Sequence, residues 1–114
     1  MKSIHELNSI EMVNGFIQDH PLAFLYISTP HCSVCHALLP QVQSMLNRYT
    51  KIKLGHVDAN AVKEVAGQFS VFTAPVLLFY VDGKEYIREA RIVHMQLLDE
   101  KLNKIYTNLM LRII

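Results

Sequence analysis

A hairpin signal in the second half of the chain restricts its fold more than any other feature of the sequence. The apolar run at residues 76–80 is followed by Asp82-Gly83, after which Lys84–Ala90 shows a second strand pattern. An Asp-Gly pair between two such patterns is typical of a tight antiparallel turn. We therefore predict an antiparallel strand pair late in the chain.

The first half instead alternates strand and helix patterns. Periodicity predicts a helix, a buried strand, a long helix and a second strand, at residues 10–18, 22–27, 32–49 and 52–57. Asp58 and Asn60 suit an N-cap region before a short helix, and a last helix closes the chain. The apolar face of the short helix is predicted to be Val62, Val65, Ala66 and Phe69. That of the last helix is predicted to be Leu98, Leu102, Ile105 and Leu109. This order predicts an α/β fold with a mixed central β-sheet and helices on both faces.

The chain's two cysteines, Cys32 and Cys35, stand at the start of the predicted long helix. Unpaired N–H groups and the positive end of the macrodipole favour a thiolate there, and the thiolate is the form that attacks disulfides. We predict that the pair forms a reversible disulfide. Cys32, nearest the open helix end, is the expected nucleophile, and Cys35 the thiol that resolves the mixed disulfide.

Three other uses of these cysteines are alternatives to redox chemistry. Both thiols can serve as small packing residues, which leaves the fold as a binding module. A zinc site can recruit both together with His31 and His36, but structural zinc normally takes four well separated ligands. Residues 32–36 also fit the Cys-x-x-Cys-His pattern of haem attachment, although the chain shows no export signal. We expect neither a metal nor another cofactor.

Composition, charge and hydropathy limit the classes of protein to which this chain can belong. The 114 residues are 51% hydrophobic, which suits one domain over residues 1–114. The formal net charge is +1 and the basic residues are scattered, so no stripe for nucleic acid is present. The start lacks a secretory signal pattern, and no later run is long enough for a bilayer. We expect a cytoplasmic monomer with no membrane or nucleic-acid partner.

Four landmarks in this order resemble the thioredoxin family over nearly the whole chain. They are the Cys-x-x-Cys pair after a buried strand, Pro40 five residues past the second cysteine, Thr73-Ala74-Pro75, and the Asp82-Gly83 turn. The resemblance implies a thioredoxin-like fold with a short extra strand near residues 4–7. It also implies a cis peptide before Pro75, where Pro75 and the Ala74 backbone dock a substrate's extended chain.

The family's activity follows from the same resemblance. It implies thiol–disulfide exchange on protein disulfide substrates without a bound cofactor. We expect the protein to reduce these disulfides, with oxidation of substrate thiols as the alternative direction. The oxidised pair then needs an electron donor such as a thioredoxin reductase.

The active-site segment departs from the family pattern. The family usually has Trp-Cys-Gly-Pro-Cys-Lys, where this chain has His31-Cys32-Ser33-Val34-Cys35-His36 and no tryptophan. His31, Ser33 and Val34 are the residues expected to contact substrate. His31 and His36 either hold positive charge near the nucleophile or are plain surface residues.

Tyr26 is the second departure. It stands six residues before Cys32, where the family has a buried aspartate thought to manage the proton of the second cysteine. Its hydroxyl either hydrogen-bonds near Cys35 or belongs to an ordinary core side chain. With the acid and the tryptophan absent, a thioredoxin-fold adaptor or chaperone-like binding module is the alternative to an oxidoreductase.

Overall fold

The computed structural model describes residues 1–113, and Ile114 lies outside that range. Within it, strands and helices follow the predicted order. They are β1 (Ile4–Glu6), α1 (Ile10–Asp19), β2 (Leu22–Ser28), α2 (Ser33–Leu46), β3 (Lys53–Asp58), α3 (Glu64–Phe69), β4 (Val76–Val81), β5 (Lys84–Ala90) and α4 (Met95–Ile113).

The strands form one mixed sheet in the order β1-β3-β2-β4-β5. The pairs β1–β3 and β3–β2 are parallel, whereas β2–β4 and β4–β5 are antiparallel. The turn between β4 and β5 uses Asp82 and Gly83, both with positive φ (49° and 80°), as a tight hairpin requires. The prediction of a mixed sheet is confirmed.

Helices cover both faces of this sheet, and each face has its own apolar cluster. Every residue of β2 is buried, and its side chains alternate between the two clusters. Phe24 and Tyr26 pack with α2 and α4, whereas Leu25 and Ile27 pack with α1 and α3. The loop that carries the cysteines into α2 thus begins at the end of β2, the fully buried central strand.

Two predicted helix boundaries were wrong. The helix predicted to reach residue 49 ends at Leu46, and Tyr49 is buried from the turn that follows. The short helix begins at Glu64, so Val62 contributes its apolar side chain from a turn. In both cases a buried residue just outside the helix continues the helical spacing of apolar residues, so the sequence pattern is longer than the helix.

The predicted N-cap region before that helix was also wrong. Lys63 occupies the cap position. The Asp58 carboxylate instead accepts a hydrogen bond from the Asn60 N–H at 2.8 Å, closing a local turn.

Candidate active site

The cysteine pair lies where β2 ends and α2 begins. Cys32 is the N-cap of α2, and its sulfur accepts a hydrogen bond from the Cys35 N–H at 3.1 Å. The two residues are joined by a disulfide, with Cα atoms 5.2 Å apart. The sulfur of Cys32 therefore faces the N–H groups at the positive end of a 14-residue helix.

The two cysteines differ in exposure. Cys32 is half-buried, whereas Cys35 is only 1% exposed and belongs to the core cluster on the α2 side. A substrate approaching from solvent reaches Cys32 first. In the reduced protein, this arrangement favours Cys32 as the attacking thiolate.

Tyr26 lies directly beneath the pair and is completely buried. Its hydroxyl donates a hydrogen bond to the Cys35 carbonyl oxygen at 2.5 Å. Burial raises the pKa of Tyr26 to about 12, so the hydroxyl keeps its proton at neutral pH. Tyr26 is therefore a core side chain whose polar end touches Cys35.

The flanking residues predicted to contact substrate surround the disulfide. His31, Ser33 and Val34 are exposed, and Val34 presents 58% of its surface. His36 folds back on the preceding loop, where its Nε2 lies 2.8 Å from the Pro30 carbonyl oxygen. A carbonyl only accepts hydrogen bonds, so this ring nitrogen carries a proton and donates it.

An open groove runs alongside Cys32. It has a volume of about 580 Å³, and its lining brings His31 and Cys32 together with Thr73 and Ala74 of the opposite loop. The peptide bond between Ala74 and Pro75 is cis. The predicted docking loop and the predicted nucleophile are thus on the same surface.

Two exposed apolar residues at this surface were not predicted from the sequence to be functional. Phe72 lines the groove with 80% of its surface exposed, and Ile92 is 77% exposed. The Arg91 N–H donates to the Pro75 carbonyl oxygen at 3.0 Å, which brings the Ile92 loop beside the Ala74-Pro75 loop. An aromatic residue just before Thr73-Ala74-Pro75 was the available signal for Phe72, whereas the position of Ile92 depends on tertiary contacts.

Comparison with known proteins identifies the family to which this fold and site belong. The thioredoxin family model matches residues 5–104. The chain belongs to the thioredoxin family. Thioredoxin-like protein YdfQ of Bacillus subtilis (strain 168) is 51% identical over 106 residues, covering 93% of this chain and 95% of that protein.

Solved thioredoxins share the fold at lower identity. Thioredoxin from Trypanosoma brucei brucei superposes with a TM-score of 0.81 at 18% identity, covering 92% of each chain. Thioredoxin O2 from Arabidopsis thaliana in the oxidized state also gives 0.81, at 19% identity, covering 92% of this chain and 96% of that one.

Membership of the thioredoxin family, together with the close cysteine pair, makes the chain a thiol–disulfide oxidoreductase. Within residues 1–113, no helix is both long and apolar enough to span a membrane. The described part of the chain also has no group of three or more His, Cys, Asp or Glu residues arranged to hold a metal ion.

Proposed function

We propose that this thioredoxin-family protein reduces disulfides in other proteins, with Cys32 as nucleophile and Cys35 as resolving thiol. The observation that carries the proposal is the unequal exposure of the two cysteines at the start of α2. One thiol can meet a protein substrate, while the other is held one helical turn away, ready to attack the intermediate. This arrangement supports a two-step exchange.

In the first step, the Cys32 thiolate attacks one sulfur of the substrate disulfide. A mixed disulfide forms, and the other substrate sulfur leaves as a thiolate. In the second step, the Cys35 thiolate attacks the Cys32 sulfur and releases the second substrate thiol. The substrate gains two electrons, and the protein is left with the Cys32–Cys35 disulfide described above.

The groove supports docking of an extended polypeptide beside Cys32. Phe72, His31 and Ala74 line this groove together with Cys32, and Val34 is exposed in the first turn of α2. We propose that these residues hold the substrate chain while its disulfide reacts.

A reducing enzyme of this kind must itself be reduced after each cycle. We propose a thioredoxin reductase as electron donor and the cytoplasm as compartment, because a reducing dithiol needs surroundings that keep thiols reduced. We further propose that residues 1–114 form one domain that works as a monomer. Gel filtration over a range of protein concentrations checks the last point.

Reduction of insulin by dithiothreitol tests the oxidoreductase assignment. The parent protein is expected to accelerate the reaction, and Cys32→Ser to abolish the acceleration. Cys35→Ser should accumulate mixed disulfides with substrate, because the resolving thiol is missing. Trapping by Cys32→Ser instead would reverse the two roles, and an inactive parent that still binds unfolded chains would favour the adaptor.

The direction of electron flow is tested by the reduction potential of the pair. We expect a value close to the roughly −270 mV of reducing thioredoxins, and not close to the roughly −120 mV of strongly oxidising dithiol proteins. Equilibration in dithiothreitol redox buffers, read by alkylation and mass spectrometry, gives the value. A potential at the oxidising end would make the protein an oxidase of substrate thiols.

A further inference from the structure

Three hydrogen-bonded side chains cross the face of the sheet that α2 covers. The Ser28 hydroxyl lies 2.7 Å from His56 Nε2, and His56 Nδ1 lies 2.8 Å from Glu6 Oε2. The residues come from the neighbouring strands β2, β3 and β1, and the register places Glu6 directly opposite His56. Ser28 is only 6% exposed, so its polar group is held where an apolar side chain would be the default.

The hydrogen-bonding capacity of Ser28 and Glu6 determines which atoms of these three side chains carry protons. An ionised carboxylate only accepts hydrogen bonds, so His56 Nδ1 carries a proton that it donates to Glu6. Nε2 of the neutral ring is then an acceptor, and the Ser28 hydroxyl donates to it. The ring can take one further proton at Nε2, and the resulting imidazolium faces the Glu6 carboxylate.

These side chains are connected to the resolving cysteine through Tyr26. Tyr26 pairs with His56 in the β2–β3 register, and their ring centroids are 6.2 Å apart. The Tyr26 hydroxyl touches the Cys35 carbonyl oxygen, and Ser28 is the next residue of β2 on the same face. Ser28 thus lies between Tyr26 and the loop that leads into α2.

Resolution of a mixed disulfide requires the Cys35 thiol to lose its proton inside the core. Cys35 is 1% exposed, so bulk water does not reach it freely. Tyr26 is a poor acceptor for this proton. Burial raises its pKa to about 12, so its oxygen already carries a proton near neutral pH, and its hydroxyl donates to a carbonyl. A histidine is the side chain best suited to take up a proton near neutral pH.

The charged and titratable groups that face His56 are few. Glu6 approaches from β1 and Tyr26 from β2, and Asp58 is the next residue of β3 on the same face. The Asp58 carboxylate already accepts a backbone N–H. His56 differs from these groups because it combines an acceptor nitrogen with a carboxylate hydrogen-bonded to its other ring nitrogen.

We propose that the Ser28–His56–Glu6 chain accepts the proton that Cys35 releases during resolution, an inference that rests on the proposed function. The thiol proton passes to the Ser28 oxygen, directly or through one water, as the Ser28 hydroxyl proton moves to His56 Nε2. The Cys35 sulfur then bonds to the Cys32 sulfur. The bond between Cys32 and the substrate breaks, and its electron pair leaves with the substrate sulfur. The imidazolium returns its proton to the departing thiolate or to solvent, which restores the starting state.

The resolving step can be timed separately with dithiobis(nitrobenzoate) as the substrate. The reduced protein releases one thionitrobenzoate when Cys32 attacks and a second when Cys35 resolves the mixed disulfide. Near pH 7 we expect His56→Gln to slow the second release about 100-fold and Glu6→Gln about tenfold, with the first release unchanged. As the pH rises past the roughly 8.5 at which a free thiol ionises, the variants should draw closer to the parent, because ionisation of the thiol depends less on a base at high pH.

Two control variants separate this role from a structural one. His5→Gln removes a histidine from β1 on the opposite face, where its ring packs against Phe16 at 5.4 Å. Asp58→Asn removes the other carboxylate on the His56 face. Both should match the parent in both phases. Glu6 is 60% exposed at its side chain, so Glu6→Gln provides a test even if His56→Gln fails to fold.

Three outcomes overturn the proposal. In the first, the rate of the second release has the same pH profile in the parent and in the variants. In the second, His56→Gln slows that release equally at every pH. In the third, the pH-dependent loss occurs in Asp58→Asn and not in His56→Gln. A parent that never releases the second thionitrobenzoate instead contradicts the proposed function, so the two failures are distinguishable.

Discussion

Replacing Tyr26 with phenylalanine removes one hydroxyl from the core and leaves the ring in place. That hydroxyl donates to the Cys35 carbonyl oxygen at 2.5 Å, in a side chain with no solvent exposure. A typical intramolecular hydrogen bond contributes about 0.5–1.5 kcal/mol net, and a buried group left without any partner costs about 1–3 kcal/mol. Cys35 lies in α2, where a carbonyl normally also accepts the N–H four residues on. We therefore expect the free energy of unfolding to fall by about 1 kcal/mol.

Urea unfolding followed by circular dichroism measures this loss. With a typical denaturant slope of about 1–3 kcal/mol/M, the midpoint should move down by about 0.3–1 M. Tyr86→Phe is the matched control, because Tyr86 is 54% exposed and its change should stay within about 0.5 kcal/mol. The bond ends on a backbone oxygen, so the loss should be the same for the oxidised and the reduced protein.

Two results would refute this reasoning. An unchanged midpoint for Tyr26→Phe would mean that the hydroxyl contributes no net stability. A loss above about 3 kcal/mol would mean that the Cys35 carbonyl is left unsatisfied or that the core rearranges around the missing oxygen.

Two further predictions concern alkaline pH and the packing of glycine. Burial raises the pKa of three tyrosines to about 12, against roughly 10 in an unfolded chain, so stability should hold below about pH 10 and fall as the pH rises through about 12. The three are Tyr26, Tyr49 and Tyr80. Urea midpoints across this range check the fall, and Tyr26→Phe should reduce it by one tyrosine's share. Gly55→Ala would place a methyl group 2.7 Å from a Leu7 side-chain carbon and should cost about 1–3 kcal/mol. Gly15→Ala, in α1 with open space around it, should add about 0.5–1 kcal/mol, and equal thermal shifts for the two would contradict the packing argument.

The long elements and the cysteine pair could be predicted from the sequence because their signals are local. The spacing of Leu38, Val42 and Met45 defines α2, and the Asp82-Gly83 pair defines the hairpin. Helix ends were harder to place, since a residue such as Tyr49 is buried from a turn and continues the apolar period. The strand β1 has three residues, and only the family resemblance indicated it.

The polar contacts at the site could not be predicted in the same way. His56 and Glu6 are 50 residues apart in sequence, and they meet only because β1 pairs with β3 in one particular register. Ser28 joins them because β2 lies on the other side of β3. Periodicity assigns residues to faces of a strand, but it does not give the order of strands in a sheet.

The two outer strands of the sheet bear on how the protein behaves at high concentration. Exposed edge strands invite another chain to add to the sheet, which is a common route to fibrils. Here β1 is three residues long, and β5 buries only Ile87 while it carries four charged side chains. They are Lys84, Glu85, Arg88 and Glu89. The short β1 and the charged β5 thus discourage copies of this protein from joining edge to edge.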